Sequence, residues 1–516
     1  MTEPEINNEA GEKPVATLIE STSPDGDRGQ GEPLTENLVK SRFDEMSLGR
    51  TVWVFRRVAL VSLAVYTGYV CEGFELKAGN SIVANAGFIK QFGNKNASGV
   101  AALDATWVST WSSLLNVGQL VTLTYISWFA ERFGRKPCFY LAWLWLVVGC
   151  AFLNAAKTPA IWALGKLCNG AGVGVLQSNA GSIISAVMMQ QLNESHPDNY
   201  ITAVRIIWAP IGLMIFFFIF VPESPWFYVR RGDKEKAMKS LRWLYGNVEG
   251  YDFDEEYNII AKTIEHEREA LAAEPKYIHL IQGVNLKRTL TITLLAVMGQ
   301  LGGITIINTY STYFFSLAGL SDPFLGTVII SCCNLLAVLI WALSTDFIGR
   351  RLLMNIFETI VVVILFVVGG LWWTGATTGN AAASHTLLVI CCIWSFAFTF
   401  NSMAYYLMAA EIPSAILRVK TGPVSFCVGS VLGIATGYAA PPMLLALNLK
   451  SGFVFGAFSV PVCILMWLYI PETKGRSAAE IDELYERKIP VWRWSKTITS
   501  AEEQLHAVLL KKGGVD

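Results

Sequence analysis

Long apolar runs alternate with short polar segments over most of this chain. After a polar stretch that ends near residue 50, apolar runs recur at 58–76, 105–130, 138–156, 161–191, 201–221, 288–317, 324–343, 352–374, 385–410, 421–447 and 451–470. About 20 apolar residues are needed for a helix to cross the ~30 Å hydrocarbon core of a bilayer. The pattern therefore predicts an all-α membrane protein of two six-helix bundles. The charged segment 222–287 separates them, with amphipathic stretches at Asp233–Leu244 and Glu255–Ala272 that read either as helices packed on the cytoplasmic face or as a solvated linker.

The domain plan follows. Residues 1–50 are rich in Glu, Asp, Pro, Gly, Ser and Thr and read as a disordered cytoplasmic tail. A first transmembrane bundle covers 51–221, cytoplasmic linker helices 222–287, a second bundle 288–470 and a cytoplasmic tail 471–516.

One run breaks the plan. Two spans, four and five, must come from residues 161–191, which is 31 residues where about 40 are needed. The two halves can be measured against each other, because Gly134-Arg-Lys136 is echoed by Gly349-Arg-Arg351 and Pro222-Glu-Ser224 by Pro471-Glu-Thr473. From Gly134 to Pro222 is 88 residues and from Gly349 to Pro471 is 122, a shortfall of 34 in the first half. Part of it is a longer loop at Thr374–Ser384; the rest is about one span. A fifth helix made of Asn179–Gln191 alone would rise only about 20 Å. The first bundle thus has a shortened or missing span five.

Charge gives the orientation. Arg and Lys gather at Arg132/Arg135/Lys136, Arg230/Arg231, Arg350/Arg351, Arg418/Lys420 and Lys474/Arg476, which places those loops and both termini in the cytoplasm. A mean hydropathy of +0.42 with 16% charged residues excludes an ordinary soluble domain, and a net charge of −1 gives no reason to expect a nucleic-acid partner. All ten cysteines lie in or beside apolar runs and read as small buried hydrophobes. The five histidines are scattered, no nucleophile or nucleotide-loop pattern occurs, and neither an enzyme nor a metal or cofactor is expected. The polar first 50 residues contain no cleavable leader. Sequons at Asn96 and Asn193 fit loops on the outer side.

Candidate chemistry lies in the polar residues inside the spans. Ionisable groups there are costly and are functional by default. Glu72 and Glu75 interrupt span one, either snorkelling to its outer end or, for Glu75, facing an internal cavity. Lys166, well inside span four, needs a carboxylate partner, and Glu75 is the candidate. Gly170, Gly172 and Gly174 allow a neighbouring helix to approach closely. Asn116 and Gln119 of span two either line a cavity or make a helix-to-helix hydrogen bond. Span seven carries Gln300, Gly302, Gly303, Thr305, Asn308 and Tyr310, the density of donors and acceptors kept where a broken helix lines a cavity. Span ten carries Asn401, Tyr405 and Tyr406 before Glu411.

The paired Gly-Arg loops, Pro222-Glu-Ser-Pro-Trp226 and Pro471-Glu-Thr-Lys-Gly-Arg476, resemble the sugar porter family of the major facilitator superfamily over about residues 55–490. Asn80–Asn85, Gly87–Phe92 and Tyr310–Phe315 look most like the fungal α-glucoside and related disaccharide permeases. The resemblance implies a plasma-membrane secondary transporter, monomeric, carrying a disaccharide such as an α-glucoside, or a hexose, by proton symport and alternating access. Gln300 keeps a family glutamine, Thr305 stands at the family asparagine and Tyr310 matches an aromatic. With Asn308, Asn401 and Tyr406 these form the expected sugar site. Glu75 matches the family acid of span one, and Lys166 replaces its usual arginine. Glu411 and Arg418 match gate residues, and Arg135 or Arg350 with Glu223 or Glu472 are expected to latch one state. The first-half counterpart of Glu411–Arg418 and the start of span five are absent. The alternatives are a sugar sensor that does not transport, and a degenerate permease with impaired transport.

Overall fold

The computed structural model describes residues 53–499, apart from 96–100, 177–181, 196–198, 247, 249–250, 273–276, 375–380, 415–416 and 477. The tail expected at 1–50, the sequon at Asn96 and the last residues of the chain lie outside the described residues.

The first bundle contains α1 (Arg56–Ser81), a short α2 (Ala86–Phe92), α3 (Ala105–Phe133), α4 (Arg135–Ala155), α5 (Pro159–Leu176), α6 (Ser182–Ser195), α7 (Tyr200–Ile206) and α8 (Trp208–Phe220). The last two are joined through one turn residue into a single span. Outside the bundle lie α9 (Pro225–Arg230), α10 (Lys234–Tyr245) and α11 (Phe253–Ala272). The second bundle contains α12 (Gly283–Leu301), a π-helical turn (Thr305–Thr309), α13 (Ser311–Leu317), α14 (Pro323–Ile348), α15 (Arg350–Gly370), α16 (Ala381–Glu411), α17 (Arg418–Leu447) and α18 (Ser451–Tyr469). A short α19 (Ala478–Glu486) follows. The only described strands are two-residue pieces, Asn94–Lys95 and Ala101–Ala102, paired antiparallel between α2 and α3.

Among the described residues, six stretches are long and apolar enough to cross a membrane: 135–155, 200–220, 323–344, 350–374, 382–411 and 420–469, the last holding both α17 and α18. The helices outside this set, α1, α3, α5 and α12, carry the polar residues that face the interior of the molecule, which lowers their hydropathy.

Local sequence sets the helix ends. The side chain of Asp104 accepts from Thr106 N–H to cap α3, and Asp322 accepts from Phe324 and Leu325 to cap α14, with Pro323 at its first position. Gly134 and Gly349 end α3 and α14 at φ +106° and +100°, a region that favours glycine. The next helix begins at once, and its free N–H groups are taken by a glutamate from far along the chain. Glu223 accepts from the backbone N–H of Arg135 and Lys136, both at 2.9 Å. Glu472 accepts from Arg350 and Arg351 N–H at 3.0 and 3.2 Å. These repeated carboxylates therefore cap α4 and α15 by their N-termini, where the helix dipole favours negative charge. They do not clasp the guanidinium groups, as the expected latch required.

The amphipathic linker segments pack together. Val229, Ala237, Leu241, Ile260 and Ile264 form a small core of their own. At the other end of the chain, Ile481, Leu484, Tyr485 and Trp494 join the core of the second bundle. There Arg288 pairs with Asp482 and lies 4.6 Å from the Tyr485 ring centre.

The short run resolves into an 18-residue α5 and a 14-residue α6. At 1.5 Å per residue, α6 is about 21 Å long, less than the hydrocarbon core. It is set against the C-terminal part of α1 and the turn after it: Ser185 Oγ donates to the carbonyl of Phe74 at 3.1 Å, and Asn85 Nδ2 donates to Asn193 Oδ1 at 3.4 Å. Asn193 thus lies in the last turn of α6, not in the loop that the sequon suggested. The part of α1 that precedes Phe74 runs beside α8. A groove of about 700 Å³ opens there between α1 and α8, lined by Leu60, Leu63, Ala64, Thr67, Phe216 and Phe220 among others.

Candidate functional site

Span seven is broken where the sequence places two glycines. After Leu301 the helix ends at Gly302, Gly303 adopts φ +89°, and the chain continues as a π-turn. The carbonyl freed at Gly302 accepts from Trp394 Nε1 at 3.1 Å, so the break leaves that group satisfied away from water.

The break opens a cavity of about 180 Å³ between the bundles, lined by Asn80 from α1, Ser112, Asn116 and Gln119 from α3, Gln300 from α12, and Thr305 and Asn308 from the π-turn, with Gly433 and Gly437 of α17. A second cavity of about 120 Å³ shares Asn116, Gln119 and Gln300 and adds Ser402, Tyr405 and Tyr406 of α16 and Phe426 and Ser430 of α17. Every polar side chain lining the two, among the described residues, is uncharged. Amides, hydroxyls and aromatic rings suit a neutral ligand that presents many hydroxyls.

The bundles meet around this space. Asn116 Nδ2 donates to the carbonyl of Gly433 at 3.0 Å, and Ser113 Oγ to that of Ile434 at 3.2 Å. A Cβ on Gly433 would lie 3.1 Å from Gln300 Oε1, and one on Gly437 3.1 Å from Ser112 Oγ, so the first glycine keeps α17 close to α12 and the second keeps it close to α3. Toward the start of α3, Tyr310 Oη donates to Val108 O at 3.2 Å, and Thr312 Oγ1 donates to Ser81 Oγ at 3.1 Å.

The expected sugar-site residues therefore separate. Gln300, Thr305, Asn308 and Tyr406 line the cavities, and of the two readings left open for Asn116 and Gln119, the cavity holds for both. Tyr310 is buried in a bridge between the bundles. Asn401 is fully buried, its Nδ2 donates to Glu358 Oε2 at 2.9 Å, and it lines neither cavity. Sequence reading missed Asn80, Ser112, Ser402 and Ser430, whose small polar side chains carry no spacing signal of their own. It also missed Glu358, although a lone glutamate in the run Ile356–Val368 is the kind of residue that is costly in a membrane.

Glu72 and Glu75 are both 2% exposed, which rules out snorkelling for either. Glu75 Oε2 accepts from Asn169 Nδ2 at 2.7 Å. Lys166, one turn earlier on α5, is 3% exposed, and its Nζ lies over Gly79, where a Cβ would overlap it. Glu75 and Lys166 act on each other electrostatically, yet Glu75 Oε1 and Lys166 Nζ have no hydrogen-bond partner. The expected pair is thus brought together but not closed. Close packing by Gly170 and Gly174, whose Cβ atoms would meet the α3 backbone, holds α5 in place, and Gly149 leaves room for Asn169. Glu72 interacts with Tyr406 across the bundle interface.

Of the gate residues, Arg350 Nη2 lies 3.3 Å from Glu411 Oε1, within the second bundle. Arg418 opens α17, and its side chain lies outside the described residues.

Comparison with known proteins places this geometry. The chain is 28% identical to an MFS transporter, fmqE, of Aspergillus fumigatus, over 86% of this chain and 90% of that one. It is 26% identical to the general alpha-glucoside permease of Saccharomyces cerevisiae, over 90% of this chain and 80% of the permease. Its fold is similar to the inward-open conformation of the xylose transporter XylE from E. coli, with a TM-score of 0.65 at 17% identity over 83% of this chain and 99% of that chain. The pattern that defines the family described as "Sugar (and other) transporter" matches residues 60–185 and 176–485, two segments that meet where α5 gives way to α6. A multi-pass membrane protein built on the major facilitator fold, the chain belongs to the Sugar (and other) transporter family.

Proposed function

We propose that the chain is a plasma-membrane secondary transporter of a mono- or disaccharide, coupled to protons through Glu75. The observation that carries this reading is the double role of α1. One face presents Gly73 and Asn80 to the cavity; another turns Glu75 toward Asn169 and Lys166 on α5. A protonated Glu75 leaves the lysine unpaired. Loss of the proton creates a buried carboxylate that only Lys166 can neutralise, and closing that pair draws α1 toward α5 and shifts the Asn80 wall of the cavity. Sugar hydroxyls meet Gln300, Asn308, Asn116 and Gln119, and a pyranose ring stacks on Tyr405 or Tyr406. The relatives support a sugar substrate, one being an alpha-glucoside permease.

In this form the short α6 limits turnover. Its 14 residues leave half of a moving interface unfilled, and backbone groups at the inner end of α6 need partners that the bilayer does not supply. Uptake of labelled maltose, glucose and xylose in yeast lacking its own sugar carriers, with and without an uncoupler, tests the proposal. Uncoupler-sensitive accumulation of one of them is expected. No uptake of any sugar, either by this chain or by a version with α5 and α6 lengthened, would refute it.

A further inference from the structure

The second bundle contains a buried acid that transport through Glu75 does not use. Glu358 lies eight residues into α15, about 12 Å from its cytoplasmic start, and is fully enclosed. Asn355, one turn earlier, is 1% exposed, and Asn401 of α16 is also buried. Between them is a single hydrogen bond, from Asn401 Nδ2 to Glu358 Oε2. Glu358 Oε1, Asn401 Oδ1 and both polar side-chain atoms of Asn355 have no partner. Cys463 of α18 meets Oγ1 of Thr359, the residue after Glu358, at 3.6 Å. Among the described residues α14 and α16 present no charged side chain to Glu358, and Arg350, Glu411 and Glu472 belong to the cytoplasmic end about two turns away.

An ionised carboxylate enclosed without a cation is so unfavourable that it takes up a proton. The two amides suit both forms. As an acid, Glu358 donates from Oε1 to an amide oxygen; as a carboxylate, it accepts from both NH₂ groups after the amides rotate. A merely structural plug would need only one of these arrangements. We propose that Glu358, held between Asn355 and Asn401, is a second reversible proton-binding site, in the bundle opposite Glu75. It is linked to the sugar-facing part of α16, since Asn401 adjoins Ser402 and lies one turn before Tyr405. Its proton occupancy sets how α16 presents Tyr405 and Tyr406. Proton binding at this site does not depend on whether sugar moves.

The test uses purified full-length protein and a hydrophobic carbodiimide, which reacts with protonated carboxyls in apolar surroundings. Labelled sites are located by peptide mass spectrometry across a series of buffers from acidic to alkaline. Glu358 is expected to be labelled in acid, with labelling falling about tenfold per pH unit above its titration point. Glu358→Gln removes that label and leaves the one on Glu75. The wild-type measurement stands alone should the variant fail to fold. The proposal is overturned if Glu358 stays unlabelled in every buffer, if its labelling does not change with pH, or if sodium in place of potassium protects it, which would make it a cation site.

Discussion

The second bundle gives its fourth and fifth helices, α16 and α17, 61 residues; the first gives their counterparts, α5 and α6, 32. Each bundle uses its fifth helix to meet the other. α17 runs along α3, with Gly437 letting the backbones approach and Asn116 and Ser113 bonding across. α6 meets α14, and it bonds to α1 at the carbonyl of Phe74. A groove beside Leu60 and Leu63 runs along the start of α1. The comparison separates two properties usually found together. The cavities draw mainly on α3, α12, α16 and α17, while among the described residues α6, the shorter of the two crossing helices, lines neither of them.

Several substitutions sharpen that contrast, the strongest at the proton pair. Glu75→Gln keeps the bond from Asn169 and loses the titratable group, so accumulation against a gradient should vanish while sugar binding stays within about threefold. Accumulation that persisted and remained sensitive to uncoupler would move the role to Glu72. Next is Gln300→Ala, which removes a side chain shared by both cavities. Sugar affinity should fall about tenfold or more, measured by binding to purified protein, as expected for a lost buried hydrogen bond of 1–2 kcal/mol. The smallest effects compare the two interfaces directly. Gly433→Leu overpacks α17 against Gln300 and should cost about 1–3 kcal/mol in thermal melting. Ala64→Leu adds the same kind of bulk to the open groove and should change stability by no more than about 0.5 kcal/mol. Equal losses at both positions would mean that the groove is not open.

Much of this was legible before any coordinates. Apolar runs gave the spans, repeated Gly-Arg loops gave the halves, and a residue count located the shortage at α5 and α6. Glu75 with Lys166, and the cavity residues of span seven, followed from the cost of placing polar groups in a bilayer. What escaped was facing. Asn401 and Ser402 are neighbours on one helix, yet one meets Glu358 and the other the cavity, and a span polar on two sides does not reveal which side is which. Glu223 and Glu472 were legible as partners of the Gly-Arg loops. That they bind backbone N–H groups depends on the positive φ at Gly134 and Gly349, which the sequence allows but does not impose.

The proposal that the short α6 limits turnover is tested most directly by lengthening it. A segment of about 30 residues, inserted between Leu176 and Ser182 to extend both helices toward the cytoplasm, would give α5 and α6 the length of their counterparts. Uptake by the two chains, expressed side by side at matched membrane abundance, should rise at least about tenfold with the insertion, a lowering of the limiting barrier by ~1.4 kcal/mol or more. Rapid uptake by the 516-residue chain that the insertion leaves unchanged would contradict the account.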